Sequence, residues 1–101
     1  MKTVITGLLM GIAAVSANAA DLAQGKAKAG MCAACHGPAG VAAIPTYPNL
    51  AGQNAGYIES ALQAYKDKTR TGPQAAIMYA MAGPLTDSDI KNLAAYFASL
   101  K

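Results

Sequence analysis

The clearest repeat of hydrophobic positions lies at the carboxyl-terminal end of the chain. Apolar residues recur there at the spacing of one helix face, at Ile90, Leu93, Ala94, Phe97 and Leu100. Thr86 precedes them as a candidate N-cap, and Asp87 and Asp89 place acidic side chains in the first turn. We therefore expect a helix that begins after Thr86 and continues to the C-terminus.

A second amphipathic stretch begins near Asn54, a residue type that commonly caps helices. Ile58, Leu62 and Tyr65 follow at positions i, i+4 and i+7, which fall on one helix face. Three cations close the stretch, where they suit the negative end of a helix dipole: Lys66, Lys68 and Arg70. The pattern predicts a helix with one buried face.

A third stretch, from Asp21 to Met31, contains helix-compatible residues in spite of two glycines. No alternating polar and apolar pattern of useful length occurs, so the predicted fold class is all-α. Two connections, 37–53 and 71–85, contain all five prolines. Irregular connections of this length in a small domain usually carry function or are disordered.

The N-terminal region has the features of a cleaved secretory signal. A short positive start is followed by an apolar run and by a small-x-small pattern at residues 17–19. The run is shorter than the roughly 20 apolar residues that a membrane-spanning helix needs. We predict that residues 1–19 are a signal peptide, with cleavage after Ala19 or Ala20 both possible. Residues 20–101 would then form one exported domain, periplasmic in a Gram-negative bacterium, without a membrane span.

Composition limits what this domain can be. The chain is 53% hydrophobic, but it has only one Phe and no Trp, and Ala dominates the apolar residues. A domain of about 80 residues with so few bulky side chains usually needs a disulfide, a metal or another staple. The formal net charge is only +3, of which Lys2 supplies one unit. This charge is too small to indicate a nucleic-acid partner.

Both cysteines and the only histidine lie within five residues, in the sequence Cys32-Ala33-Ala34-Cys35-His36. C-x-x-C-H is the attachment signature of a c-type haem. Thiols at i and i+3 lie close together on a helical turn, so both can add to the vinyl groups of one porphyrin, and the following His reaches the iron. The motif predicts one haem c, bound covalently through Cys32 and Cys35, with His36 as an iron ligand.

Other interpretations of the motif fit less well. A structural zinc site normally uses four Cys or His ligands, and the chain has only three such residues. A thioredoxin-like dithiol belongs next to a βαβ pattern, which is absent here. A plain disulfide would leave His36 without a reason to follow the second cysteine.

An iron bound by one histidine has a sixth position, and the mature region offers three methionines for it. Met31 adjoins Cys32 and cannot reach the opposite face of the ring. Met78 and Met81 both lie in the second Pro-containing connection. Because there is no second histidine, we expect one of these two to be the ligand, and the residues alone leave both candidates open.

Taken together, these pieces resemble the class I c-type cytochromes, especially short monohaem periplasmic cytochromes and single domains of bacterial dihaem cytochromes. The matching segments are CAACHG at 32–37, YPNLAGQ at 47–53, the following helix with Tyr57 and Leu62, the Met before Leu85-Thr86-Asp87, and LAAYFASL at 93–100. The resemblance covers essentially the whole mature region. It implies a small fold of three to five helices around one covalently attached haem, with the N- and C-terminal helices crossing.

The resemblance also implies roles for single residues. In such families the ligand Met typically precedes the Leu of the L-[ST]-D helix start by seven positions, which selects Met78 here and leaves Met81 as a packing residue or second choice. The carbonyl of Pro48 is expected to accept the Nδ1 hydrogen of His36, which would fix the orientation of the ring. Leu50 is expected to pack on the haem.

Further expectations concern the periphery of the site. By the same resemblance, Gly25 should meet Tyr96 or Phe97 where the terminal helices cross. Arg70 and its neighbouring lysines fit a solvated helix end better than a clamp on the haem propionates. Four tyrosines are expected mainly as half-buried packing residues, with a hydrogen bond to a propionate or to the Met sulfur as the weaker alternative: Tyr47, Tyr57, Tyr65 and Tyr79.

Axial His and Met ligands fill both faces of an iron, which favours one-electron transfer over oxygen binding or catalysis. We therefore expect a monomeric periplasmic electron carrier, not an enzyme, that exchanges electrons between respiratory redox partners through small transient interfaces. The alternative is a haem subunit of a larger oxidoreductase, for example one with a flavoprotein dehydrogenase. A ligand-binding or catalytic cytochrome with an open iron site fits least, because Met78 and Met81 are both available.

Overall fold

The computed structural model describes residues 19–101, so most of the predicted signal peptide lies outside the described residues. The helices follow in the order α1 (Leu22–Lys28), a 3-10 helix (Ala29–Cys32), α2 (Ala33–His36), α3 (Ala55–Lys66), α4 (Ala75–Ala82) and α5 (Asp87–Ser99). Residues 19–101 contain no strand, and none of their helices is long and apolar enough to cross a membrane. The predicted all-α class is confirmed.

Two helices begin at the caps that the sequence predicts. The Asn54 side chain accepts a hydrogen bond from the Tyr57 backbone N–H at 3.2 Å, at the start of α3. Before α5, the Thr86 hydroxyl accepts from the Asp89 N–H at 3.1 Å, and the Asp89 carboxylate accepts from the Thr86 N–H at 3.0 Å. This reciprocal pair is a capping box, and it satisfies two backbone donors that a helix start would otherwise leave unpaired.

The ends of the predicted helices differ from expectation. Helix α3 stops at Lys66, because Lys68 adopts a left-handed conformation with φ of 60° that a helix cannot contain. The Lys66 ammonium instead donates a hydrogen bond to the Leu85 carbonyl oxygen. Helix α5 stops at Ser99, and Leu100 is extended with ψ of 138°.

The predicted irregular connection over residues 71–85 is wrong in its middle, where α4 forms. The segment AAIMYAMA consists largely of good helix formers, so the helix agrees with local propensity. It is apolar on nearly every side and has no side-chain cap at Gln74. The periodic and capping signals that reveal the other helices are therefore missing here.

Helices α1 and α5 cross, as the resemblance implies. A Cβ built on Gly25 would overlap the Asn92 carbonyl oxygen and lie 2.9 Å from the Tyr96 Cβ, so the two backbones touch at a position where only glycine fits. The Asn92 side chain accepts a hydrogen bond from the Asp21 N–H at 2.8 Å. The expected meeting of Gly25 and Tyr96 is confirmed.

The buried core is built mainly from α5, with contributions from the 3-10 helix, α3, α4 and the turn after α4. Its buried apolar members are Ala29, Ile58, Ala75, Ala82, Leu85, Ile90, Leu93, Ala94 and Phe97. Leu93 is the largest side chain that is almost completely shielded from solvent, with 1% exposed. The protein part of the core is therefore small, as the composition predicts.

Candidate haem-binding site

A cavity of about 450 Å³ opens beside this small core. Its wall includes Cys32, Cys35 and His36 from the motif, and core side chains such as Leu93 and Phe97. The volume lies within the range of pockets that hold cofactor-sized ligands. Because core residues also form the wall of the cavity, a group bound there would share the hydrophobic core of the protein.

Local helix geometry brings the two cysteines to the same cavity. The 3-10 helix ends at Cys32, and α2 continues through Cys35 and His36, so the motif lies on consecutive helical turns. Both thiols are half-buried and not joined in a disulfide. Gly37 ends α2 with φ of 88°, and a Cβ there would overlap the backbone of Val41. Gly37 follows the motif directly, but the motif by itself gives no reason for a glycine at this position.

Burial, and to a smaller degree the neighbouring Cys35, raises the pKa of the Cys32 thiol above its ordinary value. A thiol with a raised pKa is protonated at neutral pH and is a weak nucleophile.

The His36 ring is buried and oriented by the loop that follows the motif. Its Nδ1 lies 2.8 Å from the carbonyl oxygen of Pro48. A carbonyl can only accept, so Nδ1 carries the hydrogen and Nε2 is the nitrogen with a free lone pair for a metal. The Tyr47 ring lies tilted to the imidazole, with 6.4 Å between the ring centroids.

A backbone turn positions the loop that carries Pro48 and Leu50. The carbonyl oxygen of Gly40 accepts hydrogen bonds from the N–H groups of Leu50 and Ala51 at 2.7 and 3.0 Å. Gly40 has φ of 76°, a conformation that other residues rarely adopt. As a result, Leu50 packs against the buried core and lines the cavity.

Met78 and Met81 lie on α4, and both line the cavity. They are three positions apart, so both fall on one side of the helix. Both side chains are half-buried. The structure therefore brings both candidate ligands to the cavity that also contains His36.

Arg70 is exposed, which agrees with its description as part of a solvated helix end. It lies beyond the end of α3, and its side chain lines the cavity. The guanidinium carbon is 4.9 Å from the centroid of the Tyr65 ring and 5.9 Å from that of Tyr57. These two tyrosines also line the cavity. The sequence pattern did not indicate that the Arg70 side chain lies at the cavity wall.

Comparison with known proteins agrees with this arrangement. The family model for cytochrome c matches residues 22–101. Cytochrome c-554(548) of Halomonas halodenitrificans is 51% identical over 81 residues, which are 80% of this chain and 98% of that protein. The chain belongs to the cytochrome c family.

Solved structures show the same fold. Reduced cytochrome c4 from Pseudomonas stutzeri matches with a TM-score of 0.72 and 38% identity, over 82% of this chain and 47% of that one. Thiosulfate dehydrogenase from Marichromatium purpuratum matches with a TM-score of 0.75 and 39% identity, over 88% of this chain and 21% of that one. The chain thus spans about half the length of that cytochrome c4.

The donor set of the cavity fits one haem c. The two thiols of the motif can each form a thioether bond, His36 offers Nε2 to the iron, and thioether sulfurs line the same space. The predicted class I cytochrome fold and the predicted covalent haem are confirmed. The protein is an electron-transfer cytochrome that holds one haem c through Cys32 and Cys35.

Proposed function

We propose that this cytochrome is a periplasmic one-electron carrier in which His36 and Met78 bind the haem iron on its two faces. The observation that carries the proposal is that His36, oriented by Pro48, and Met78 line the cavity that also contains both cysteines. A haem c bound there supplies a one-electron Fe(III)/Fe(II) couple.

The chain's own residues support this role. His36 keeps one ring orientation through its hydrogen bond to Pro48, so little rearrangement accompanies a change of oxidation state. Much of the cavity wall is apolar, with core side chains such as Leu93 and Phe97, and these exclude water from the site. A methionine ligand raises the potential relative to bis-histidine ligation.

Met78 is proposed over Met81 on the resemblance to related cytochromes. Met78 precedes Leu85 of the Leu-Thr-Asp helix start by seven positions. Met81 lines the same cavity and is one helical turn further along α4. It is the natural control for any experiment on Met78.

The test is an absorption spectrum of the oxidised holoprotein, including the weak near-infrared band that a thioether sulfur on ferric iron produces. We expect this band in the wild type and in Met81→Ala, and we expect it to be lost in Met78→Ala. Loss in Met81→Ala alone would reassign the ligand. A wild type without the band, whose reduced spectrum changes with carbon monoxide, would contradict the electron-carrier proposal and indicate an open iron site.

The proposed location depends on the predicted signal peptide over residues 1–19. Cell fractionation tests it directly, because covalent haem gives the mature protein a visible absorption. We expect the haem-containing protein in the periplasmic fraction with its N-terminus at Ala20 or Asp21. Recovery of the unprocessed chain in the cytoplasm would contradict the proposed location.

A second candidate function is that of a haem subunit in a larger oxidoreductase. The observation that favours it is the match to part of the thiosulfate dehydrogenase structure, of which this chain covers 21%. Gel filtration of a native extract distinguishes the two functions. A free carrier elutes with the purified chain, whereas a subunit elutes earlier together with its partner.

A further inference from the structure

Helix α4 carries both candidate methionine ligands, yet little in its own sequence holds it in place. It has only eight residues, no side-chain cap at Gln74 and no acidic residue in its first turn. An isolated helix of fewer than about 12 residues is marginal in water, so contacts with other segments have to stabilise α4. Since Met78 and Met81 line the cavity from this helix, those contacts also determine where the two sulfur atoms lie.

Lys66 contacts the chain just after α4. It is the last residue of α3, and its ammonium donates a hydrogen bond to the Leu85 carbonyl oxygen. The turn that contains Leu85 is attached to α4, because the Leu85 N–H donates to the Ala82 carbonyl oxygen at 3.0 Å. Leu85 is buried and lines the cavity. Lys66 therefore connects the end of α3 with the C-terminal end of α4.

Tyr79 makes a second connection, between α4 and the chain that follows α3. Its hydroxyl donates a hydrogen bond to the Arg70 carbonyl oxygen at 2.6 Å, and its ring lies 6.3 Å from that of Tyr65 on α3, measured between centroids. The acceptor is itself held against α3, since the N–H groups of Thr69 and Arg70 donate to the Ala64 carbonyl oxygen at 2.8 and 3.3 Å. This connection depends on the path of the backbone at residue 70 and not on the arginine side chain.

The hydrogen bonds donated by Lys66 and Tyr79, which we call the two α4 tethers, attach α4 to a helix with stronger local anchors. Helix α3 has a side-chain cap at Asn54 and buries Ile58 in the core. Both acceptors are backbone carbonyl oxygens, so the tethers fix the path of the chain on either side of α4. Lys66 does not line the cavity, so it can affect the site only through the position of other segments.

We propose that Lys66 and Tyr79 are positioning residues that hold α4 so that its methionine stays bound to the haem iron. The inference rests on the proposed methionine ligation, but it holds for Met78 and Met81 alike because both belong to α4. Methionine ligation favours ferrous over ferric iron, so in the ferric state the bond depends on a high effective concentration of the sulfur atom at the metal. A firmly held helix supplies this concentration, and a loosened helix lowers it.

Competition with imidazole measures how firmly the methionine is held. Added imidazole binds the ferric haem only where the methionine has left the iron, so its apparent dissociation constant falls as the methionine-free fraction rises. We expect Lys66→Leu and Tyr79→Phe each to bind imidazole roughly three- to tenfold more tightly than the wild-type holoprotein, as the loss of one hydrogen bond implies. The near-infrared band of thioether ligation, followed during the titration, shows that the methionine is the displaced group.

Two control variants make the same chemical changes away from α4. Lys26→Leu removes a positive charge from the exposed surface of α1, and Tyr96→Phe removes a hydroxyl from α5. Neither residue lines the cavity, so we expect both variants to bind imidazole with wild-type affinity. Lys66→Arg keeps a cationic donor at its position, and its affinity should lie close to that of the wild type. Equal affinities in Lys66→Arg and Lys66→Leu would contradict a role for the hydrogen bond.

Hydrogen exchange of the reduced holoprotein tests the position of α4 without an added ligand. The backbone amides of α4 should exchange faster in Lys66→Leu and in Tyr79→Phe, whereas those of α5 should keep their wild-type protection. An equal loss of protection in α4 and α5 would overturn the proposal, because it would mean a general loss of stability. Tyr79→Phe removes a single oxygen atom, so it keeps the test possible if Lys66→Leu does not fold.

The outcome for the two α4 tethers is separable from that of the electron-carrier proposal. If methionine ligation fails, the wild type itself lacks the near-infrared band. If only the tether inference fails, the wild type keeps that band, and Lys66→Leu and Tyr79→Phe bind imidazole as the wild type does. Wild-type affinity in one of the two variants would overturn the role of that residue.

Discussion

The imidazole of His36 is identified by a five-residue motif but oriented by the carbonyl oxygen of Pro48, twelve positions further along the chain. The motif predicted the residue, and the resemblance implied the partner. Because the acceptor is a backbone atom, the identity of residue 48 matters less than the path of its backbone. That path is held by the Gly40 carbonyl, which accepts from Leu50 and Ala51.

This distinction leads to a prediction for Pro48→Ala. The substitution keeps the carbonyl acceptor, so the axial-ligand absorption of the holoprotein should be unchanged. The free energy of unfolding should fall by about 0.4–1 kcal/mol, because alanine gives the unfolded chain more conformational freedom. Denaturant unfolding and absorption spectra measure the two effects.

Pro45→Ala is the control, because Pro45 lies in the same loop and makes no hydrogen bond to His36. We expect a similar loss of stability and the same spectrum for both variants. A spectral change confined to Pro48→Ala would show that the proline ring, and not only the carbonyl, holds His36 in place.

At the scale of elements, the predictable helices are those with a cap and an amphipathic face. Helices α3 and α5 have both, and their caps at Asn54 and Thr86 are as predicted. Helix α4 has neither, since it is apolar nearly all round and Gln74 makes no capping bond. Its Ala75 and Ala82 are buried and its Met78 and Met81 line the cavity, and a local sequence pattern does not show such tertiary surroundings.

The crossing of α1 and α5 gives a prediction with a built-in control. In Gly25→Ala the new methyl group meets the Asn92 carbonyl, which is backbone and cannot move aside without separating the helices. We expect a loss of about 1–3 kcal/mol in the free energy of unfolding, as for other overpacked sites. Denaturant unfolding of the oxidised holoprotein measures it.

Gly30→Ala is the matched control, because a Cβ at Gly30 would have no atom of another segment within 4 Å. Here alanine reduces the freedom of the unfolded chain and creates no clash, so stability should stay the same or rise by up to about 1 kcal/mol. Equal losses at both glycines would show that the close contact with α5 does not determine the effect.

On the scale of the whole molecule, the core and the haem cavity share their walls. The buried side chains of Ile58, Leu85, Leu93 and Phe97 all line the cavity. A bound haem therefore supplies much of the apolar surface against which these residues pack. This agrees with the composition, which indicated too few bulky residues for a stable domain of this size.

The haem-free chain should accordingly lose its cooperative fold. We predict that the double variant Cys32→Ser with Cys35→Ser, which cannot attach haem, has much weaker far-UV circular dichroism than the holoprotein and no sharp thermal transition. Calorimetry checks the second point. A haem-free chain that melts cooperatively near the temperature of the holoprotein would contradict the view that the cofactor completes the core.

The sequence by itself determined the chemistry of attachment and the helices with strong local signals. Cys32, Cys35 and His36 are adjacent in the chain, so their spacing alone identifies the haem, and the capping residues Asn54 and Thr86 act within three positions. Local interactions of this kind leave a readable pattern because both partners lie in one short segment.

Only the tertiary structure decided what depends on distant segments. Gly25 meets Asn92 and Tyr96 across the helix crossing, α4 brings two methionines to the cavity, and the guanidinium of Arg70 lies over the rings of Tyr57 and Tyr65. These arrangements come from chain segments that pack together only in the folded molecule. The stability of each contact depends on residues from another segment, so the sequence of one segment does not reveal it.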